Sequence, residues 1–249
     1  MVSVIVPVFN DEKYIFETLQ SICSQTYSKL EIIVIDDCSA DKSIQVVEDF
    51  KDKRIRLVRN ESNKGAAYSR NVGISLANGD YVAFLDGDDI WKKEKIEKQV
   101  KFMEEHNYLF SCTGYELIDE DSKPLNKKVF APKKMNHKTL LRSNFIGCLT
   151  VVYKRNIYPD LRIPDEIYKR NDYALWLKLS ERCDCYYFDE VLAQYRKRKK
   201  SISSDKKNKV FKSHIVLFKK LYNYSSCRSF WYSIRNVAYY YLRRIKYIK

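Results

Sequence analysis

Apolar residues fall along this chain in short unbroken runs, separated by stretches with helical spacing. The first run, Val2-Ser3-Val4-Ile5-Val6-Pro7-Val8-Phe9, stops at Asn10. The second covers residues 30–35 and ends in Asp36-Asp37-Cys38-Ser39; the third covers residues 81–85 and ends in Asp86-Gly87-Asp88-Asp89. Runs this short, rich in β-branched and aromatic residues, suit strands buried on both faces of a parallel or mixed sheet covered by helices. Between the first two, Tyr14, Ile15, Leu19 and Ile22 recur at near-helical spacing and predict a helix within residues 12–25. A helix over 43–50, a short strand over 55–58 and a helix from Gly65 to about residue 78 continue the alternation. Strand, helix, strand in this rhythm predicts an α/β fold, a mixed, mostly parallel central sheet flanked by helices.

Acidic groups end two of these strands on the same side. Ligands of open α/β sheets bind beyond the carboxyl ends of the strands, so Asp37 and Asp88 are expected to face one crevice. Asp86, Asp88 and Asp89 lie within four residues. Such a cluster suits a hard divalent cation bound through oxygen, or else a solvated acidic turn. Gly65 opens a helix whose first N–H groups, with Lys64 and Arg70 nearby, would attract phosphate. The alternative for Lys64 and Arg70 is a plain solvated face. Neither a Walker loop nor the dinucleotide glycine fingerprint is present.

Taken in order, the opening Val-Ser-Val-Ile-Val-Pro-Val-Phe-Asn, Asp36-Asp37-Cys38-Ser39-Ala40-Asp41, Lys64-Gly65 through Arg70-Asn71, and Gly79-Asp80-Tyr81 leading to Asp86-Gly87-Asp88-Asp89 resemble glycosyltransferase family 2 over residues 2–105. The resemblance implies the GT-A fold and a nucleoside-diphosphate sugar, UDP-sugar by default, with Mn²⁺ or Mg²⁺. It implies that Pro7 and Phe9 line a base pocket and that Asp37 accepts a hydrogen bond from the base. Asp86 would face the ribose, Asp88 would ligate the metal, and Lys64 and Arg70 would lie near the diphosphate. Read from the residues alone, Phe9 is equally a core aromatic at a strand end.

The pattern resumes at Tyr168-Lys169-Arg170-Asn171-Asp172-Tyr173, ahead of an apolar stretch, residues 173–179, that predicts a mostly buried helix. Where relatives usually carry Glu-Asp this chain has Asn171-Asp172, so the expected catalytic base, Asp172, is kept and its acidic neighbour is lost. Asp172 near a helix start is also a natural cap. After a strand pair predicted at 185–188 and 191–195, the segment Tyr195-Arg196-Lys197-Arg198-Lys199-Lys200-Ser201-Ile202-Ser203 resembles a family stretch with histidine at the position of Arg198. Histidine could ligate a metal; arginine instead offers a planar fork of donors to the leaving diphosphate. With Asp172 as base the implied reaction is a single displacement that inverts the anomeric carbon, moving a hexose or N-acetylhexosamine to a hydroxyl of a glycan or lipid-linked acceptor, as in bacterial surface polysaccharide assembly. The alternative is a catalytically silent fold member that binds sugar nucleotide or scaffolds a complex. Keeping Asp37, Asp86, Asp88 and Asp172 together favours activity. A nucleotidyltransferase would need an early glycine-rich loop, and Val6-Pro7-Val8-Phe9-Asn10 has no glycine.

Composition sharpens the domain picture. Residues 196–249 hold seventeen Lys or Arg against one acid, Asp205, leaving the preceding part slightly acidic within a total of +14. The expected organisation is a GT-A domain over 1–204, with a nucleotide-sugar half (1–105) and an acceptor half (106–204), followed by a basic, aromatic, helical tail over 205–249. Val210, Phe211, Ile215, Phe218, Leu221 and Tyr222 fall on one helical stripe, and a second helix is expected over 229–245. Basic amphipathic helices with aromatic residues lie on anionic membranes. The alternative is that the tail packs its aromatic stripe on the domain; basic residues among aromatics also suit single-stranded nucleic acid, but nothing in the front domain reads bases and no nucleic acid is expected. Seven scattered cysteines have no zinc-knuckle spacing and read as reduced thiols. Met1 leads straight into a strand and no apolar run is long enough to span a bilayer, which predicts a cytoplasmic protein, peripheral on the inner face of the plasma membrane. Residues 106–165, which would shape the acceptor side, carry no readable motif, and His106, His137 and Asn144 stay unassigned.

Overall fold

The structure, a computed structural model, describes residues 1–198 and 207–248, and within the last helices not the side chains of residues 207–210, 241 and 244. The Ser201-Ile202-Ser203 stretch, the expected domain boundary at 204 and the side chain of Val210 therefore lie outside the described residues. In chain order the first half contains β1 (Val2–Val8), α1 (Ile15–Cys23), β2 (Leu30–Asp36), α2 (Ser43–Asp49), β3 (Ile55–Arg59), α3 (Ala66–Leu76), β4 (Tyr81–Phe84), β5 (Ile90–Trp91) and α4 (Lys95–Glu105). The second contains β6 (Phe110–Ile118), β7 (Pro124–Val129), β8 (Lys134–Met135), α5 (His137–Leu140), β9 (Val152–Lys154), α6 (Asn171–Ser180), β10 (Cys185–Arg196), α7 (Lys207–Tyr222) and α8 (Ser226–Tyr247).

All the strands join one sheet in the order β3-β2-β1-β4-β9-β6-β10-β5, with β7 added to β6 and β8 to β10. The first four strands are parallel, because each pair is joined by a helical crossover. Antiparallel β9 then links β4 to β6. Beyond it, β10 runs parallel to β6 and antiparallel to β5.

Alternate side chains of the central strands feed opposite faces, which is why these runs are apolar throughout. Ile5, Ile33 and Ile35 pack towards Phe84, Trp176 and Phe218, while Val4, Val6, Ile32 and Val34 pack towards Leu19, Ile22 and Met103. Burying an aliphatic or aromatic side chain of this kind stabilises by about 1.5–3 kcal/mol.

Three boundaries differ from the expected ones. Helix α3 stops at Leu76, because Ala77 is already extended. The two strands expected at 185–188 and 191–195 are one strand, β10, and Asp189-Glu190 is an irregularity in its pairing with β6 rather than a turn. Helix α8 starts earlier and ends later than expected, its first turn capped by the Ser225 hydroxyl, which accepts from Arg228 N at 3.3 Å.

The tail helices are also part of the fold. Leu217, Phe218 and Leu221 of α7 are buried in the same core as Trp176 of α6.

Candidate active site

Strands β1, β2 and β4 are parallel and adjacent, so the loops that leave them open on one edge of the sheet. The β1–α1 loop runs along that edge from one acidic loop to the other. On the β2 side, Asn10 N donates to Ser39 Oγ at 3.0 Å, Ala40 N to Asn10 Oδ1 at 2.9 Å, and Asp11 N to Ser43 Oγ at 2.8 Å. Asn10 takes a left-handed conformation (φ 54°), which asparagine tolerates better than most residues. On the β4 side, the Asp11 carboxylate pairs with Arg198. Pro7 is buried, whereas Phe9 is 46 % exposed, so Phe9 is not a core aromatic.

Asp37 is a clamp. Its Oδ1 accepts from Lys64 N at 2.9 Å and Asn60 Nδ2 at 2.8 Å, and its Oδ2 accepts from Gly65 N at 2.7 Å. Gly65 has a φ of 86°, which lets the β3–α3 loop turn its N–H groups onto the carboxylate. Lys64 is exposed, its ammonium 4.6 Å from the Tyr68 ring centroid. Asp37 and Asp88 therefore share an edge but bind different partners, with the β1–α1 loop between them.

A second cluster joins three distant elements. The Arg70 guanidinium, on α3 and only 5 % exposed, bonds Asp86 after β4 and the Asn171 side-chain oxygen at the start of α6. Its Nε is buried without a partner among the described residues. Asn171, the departure from the family pattern, thus fills a place where a carboxylate would add charge to an already acidic site. Beside it, Asp172 is partly buried in the first turn of α6, where its carboxylate also accepts from the Tyr173 N–H. Burial raises the Asp172 carboxyl above the usual range, and the charge of Arg70 pulls against that rise.

The third cluster surrounds Asp88. Its carboxylate is bonded by Arg198, which also bonds Asp11, and the Arg198 guanidinium lies 4.9 Å from the Tyr14 ring centroid. Burial lifts Asp88 to about 6, with Arg198 opposing and Asp11 and Asp86 adding to the lift. Asp89 is buried; its Oδ1 accepts from Arg196 N at 2.9 Å, and burial together with Asp88 holds it well above the carboxylate range. Arg196 is the fastener of this corner. Its Nε donates to the Asp88 carbonyl at 2.8 Å, and its terminal nitrogens reach Ser122 Oγ at 2.8 Å and Glu17 Oε2 at 2.6 Å. A Cβ at Gly87 would stand 2.6 Å from Asp11 Oδ2, so a side chain there would displace that carboxylate.

Asp11, Asp86, Asp88, Asp89 and Asp172 are gathered around Arg70, Arg196 and Arg198, which leaves negative charge in excess. That imbalance, with all-oxygen donors, fits a hard divalent cation on Asp88. Among the described residues no three His, Cys, Asp or Glu side chains converge as a ready-made cage. Water and diphosphate oxygens would complete the shell, and Arg198 would have to yield part of its hold on Asp88.

Three participants had not been singled out from the sequence: Asp11, Asn60 and Arg196. Asp11 lies three residues past the end of β1, as Asp37 lies just past the end of β2, and that position beyond a strand end was the available signal. His137 is a structural residue, its Nδ1 2.8 Å from Ser180 Oγ.

The sequence profile of Glycosyl transferase family 2 matches residues 3–160. TuaG of Bacillus subtilis, named for teichuronic acid biosynthesis, is 42% identical over 209 residues, spanning 83% of this chain and 82% of its own. WfgD of Escherichia coli, a UDP-Glc:alpha-D-GlcNAc-diphosphoundecaprenol beta-1,3-glucosyltransferase, is 37% identical over 211 residues, spanning 83% of this chain and 81% of its own. Of solved structures, S. aureus TarS 1-349 in complex with UDP-GlcNAc matches with a TM-score of 0.74 at 23% identity, over 98% of this chain and 72% of that one. The likeness to TarS carries the GT-A fold, and the profile and the two relatives carry the kinship: this chain belongs to glycosyltransferase family 2.

Proposed function

We propose that this glycosyltransferase moves a hexose or N-acetylhexosamine from a UDP-sugar to a hydroxyl of a lipid-linked saccharide, with inversion at the anomeric carbon. The observation that carries the reading is the Asp86–Arg70–Asn171 bridge, which holds Asp172 beside the ends of the nucleotide-side strands. The named chemistry of WfgD, glucosyl transfer from UDP-Glc to a diphosphoundecaprenol-linked sugar, supports donor and acceptor class.

In this reading Phe9 stacks on the base and Pro7 backs it. Asp37 shapes the base pocket chiefly by holding the β3–α3 loop, and its remaining lone pair is left for the base N–H. Lys64 and Arg70 serve the diphosphate in this reading, Arg70 through its charge beside Asp86. Asp86 meets the ribose. Asp88 would hold Mn²⁺ or Mg²⁺, which when bound neutralises charge on the departing diphosphate. Arg198, released from Asp88, offers the same leaving group a bidentate fork. Asp172 takes the proton of the acceptor hydroxyl as that oxygen forms the new glycosidic bond and the bond to the diphosphate breaks. Its raised pKa makes it a better proton acceptor near neutral pH than an ordinary carboxylate. A lipid-linked acceptor would bring the enzyme to the inner face of the plasma membrane.

The test combines binding and turnover. Thermal shifts with UDP-, dTDP-, GDP- and CMP-sugars, with and without Mn²⁺, are expected to single out UDP-sugars. Asp172→Asn is expected to lower transfer by about 10²–10⁴-fold while keeping the UDP-sugar shift. Parental turnover in that variant would remove Asp172 as the base, and no shift with any sugar nucleotide would leave the silent-scaffold reading in its place.

A further inference from the structure

Helix α8 is packed with its polar side inward. Ser229, Ser233 and Asn236 are almost completely buried, while Trp231 is 65 % exposed, Leu242 59 % and Ile245 84 %. The inward side also carries Tyr232, packed on Phe218, and Arg243, which lies over the Phe145 ring and whose Nε is buried without a partner among the described residues. Ser233 Oγ donates to Ser229 O at 2.7 Å, and Asn236 Nδ2 donates to the Tyr173 hydroxyl at 2.7 Å, one residue from Asp172. Phe230, Trp231, Ile234, Leu242 and Ile245 follow at steps of one to eight residues that keep them on one helical stripe; Phe230 at its edge meets Phe211 of α7, and the other four are turned to solvent. A soluble helix ordinarily does the reverse, so this stripe is built to be covered.

The charge around it says by what. Residues 207–248 contain ten Lys or Arg and no Asp or Glu. Arg228 and Lys246, near the two ends of α8, are exposed, as are Lys212, Lys219 and Lys220 on α7. No described helix is long and apolar enough to cross a membrane. We propose that the outer face of α8 lies in the headgroup layer of an anionic bilayer, with Trp231, Leu242 and Ile245 inserted and the flanking Arg and Lys on the lipid phosphates. A predominantly cationic rim, with Glu166 pairing Lys220 at its α7 edge, favours that occupant over a second copy of the same surface, which would set like charges face to face. The inference deepens the transferase reading by saying how a lipid-borne acceptor is met, through the Asn236–Tyr173 contact that ties the docked helix to the helix of Asp172.

Vesicle binding by the full chain, measured without donor or acceptor, tests it apart from catalysis. Trp91 and Trp176 are buried and Trp231 is the exposed one, so fluorescence reports on the stripe directly. Phosphatidylglycerol-containing vesicles are expected to shift the emission to the blue and to carry the protein in flotation, and pure phosphatidylcholine vesicles to do neither. Leu242→Ser with Ile245→Ser is expected to weaken partitioning on the order of tenfold with an unchanged melting temperature and an unchanged UDP-sugar shift. Equal binding by parent and variant, or equal binding to both vesicle types, overturns the proposal. So does a dimer seen without vesicles that this variant dissociates, because the stripe would then be covered by a second copy. Failure of vesicle binding leaves the UDP-sugar and transfer assays untouched, and failure of those leaves vesicle binding to be read on its own.

Discussion

Arg70→Met tests whether one guanidinium holds the centre of the site together. The substitution keeps an apolar stem of similar reach but leaves Asp86 and the Asn171 oxygen without their shared donor. Breaking a buried ion pair by removing one partner costs about 3–5 kcal/mol. The Asp86 side chain is 33% exposed, so solvent takes up part of the loss, and about 2–3 kcal/mol is the working figure. At roughly 2–4 °C per kcal/mol for a chain of this size, the melting temperature should fall by about 5–10 °C.

The pH dependence gives a sharper signature. Asp172 already has a raised pKa in the folded state, with Arg70 opposing the rise. Without Arg70 it rises further. A carboxyl with a raised folded pKa binds protons better folded than unfolded, so its cost is absent at acid pH and grows as pH climbs from the unfolded value, about 3.9, towards the folded one. The deficit of Arg70→Met should therefore be smaller in acid, near the unfolded carboxyl value of about 3.9, than at neutral pH, read by scanning calorimetry at both. The acid limb of the transfer profile should move to higher pH in the same variant. A melting temperature equal to the parent's at both pH values, or a deficit larger in acid, would refute the bridge as the organising contact.

Three other perturbations follow from the same geometry. Stabilisation by Mn²⁺ should grow as pH rises through about 6, where Asp88 loses its proton, and vanish in Asp88→Asn; a metal shift that survives the substitution would move the cation elsewhere. Gly87→Ala places a Cβ 2.6 Å from Asp11 Oδ2, so it should cost about 1–3 kcal/mol and reduce transfer through the displaced Asp11–Arg198 pair, and parental melting and rate would contradict that contact. Asp37→Asn sets an amide N–H₂ against either the Gly65 N–H or the Lys64 N–H and Asn60 amide; a loss of about 1–3 kcal/mol and faster proteolytic cleavage within residues 60–65 are expected, with unaltered cleavage arguing against the clamp.

The sheet was legible because its central strands are buried on both faces, so Val4, Ile5, Ile33 and Val34 announce themselves without any partner being known. The acidic strand ends were legible because the apolar runs break off at Asp36 and Asp86. Arg196 was not. Counted along the chain it joins a basic tail, whereas in space it is 1 % exposed and neutralised by Glu17, and a charge count carries no information about burial. Asp37 read as a ligand-facing acid, yet its partners include two backbone N–H groups some thirty residues on, a contact that depends on the positive φ at Gly65. Helix α8 showed its periodicity plainly. The side it turns inward could not be read, because Asn236 and Tyr173 find each other only across the packed α6 surface.

Arg196 also bears on the order in which the protein can be completed. It reaches the Asp88 carbonyl and Glu17 from the last residue of β10, across sequence separations of 108 and 179 residues. A nascent chain leaving the ribosome can assemble the early parallel strands from their own crossovers, but the corner that carries Asp88 stays unfastened until the last strand has been translated. A chain cleaved ahead of Arg196 would lack the contacts that fasten the Asp88 corner, so the order of that early loop depends on a residue far along the sequence.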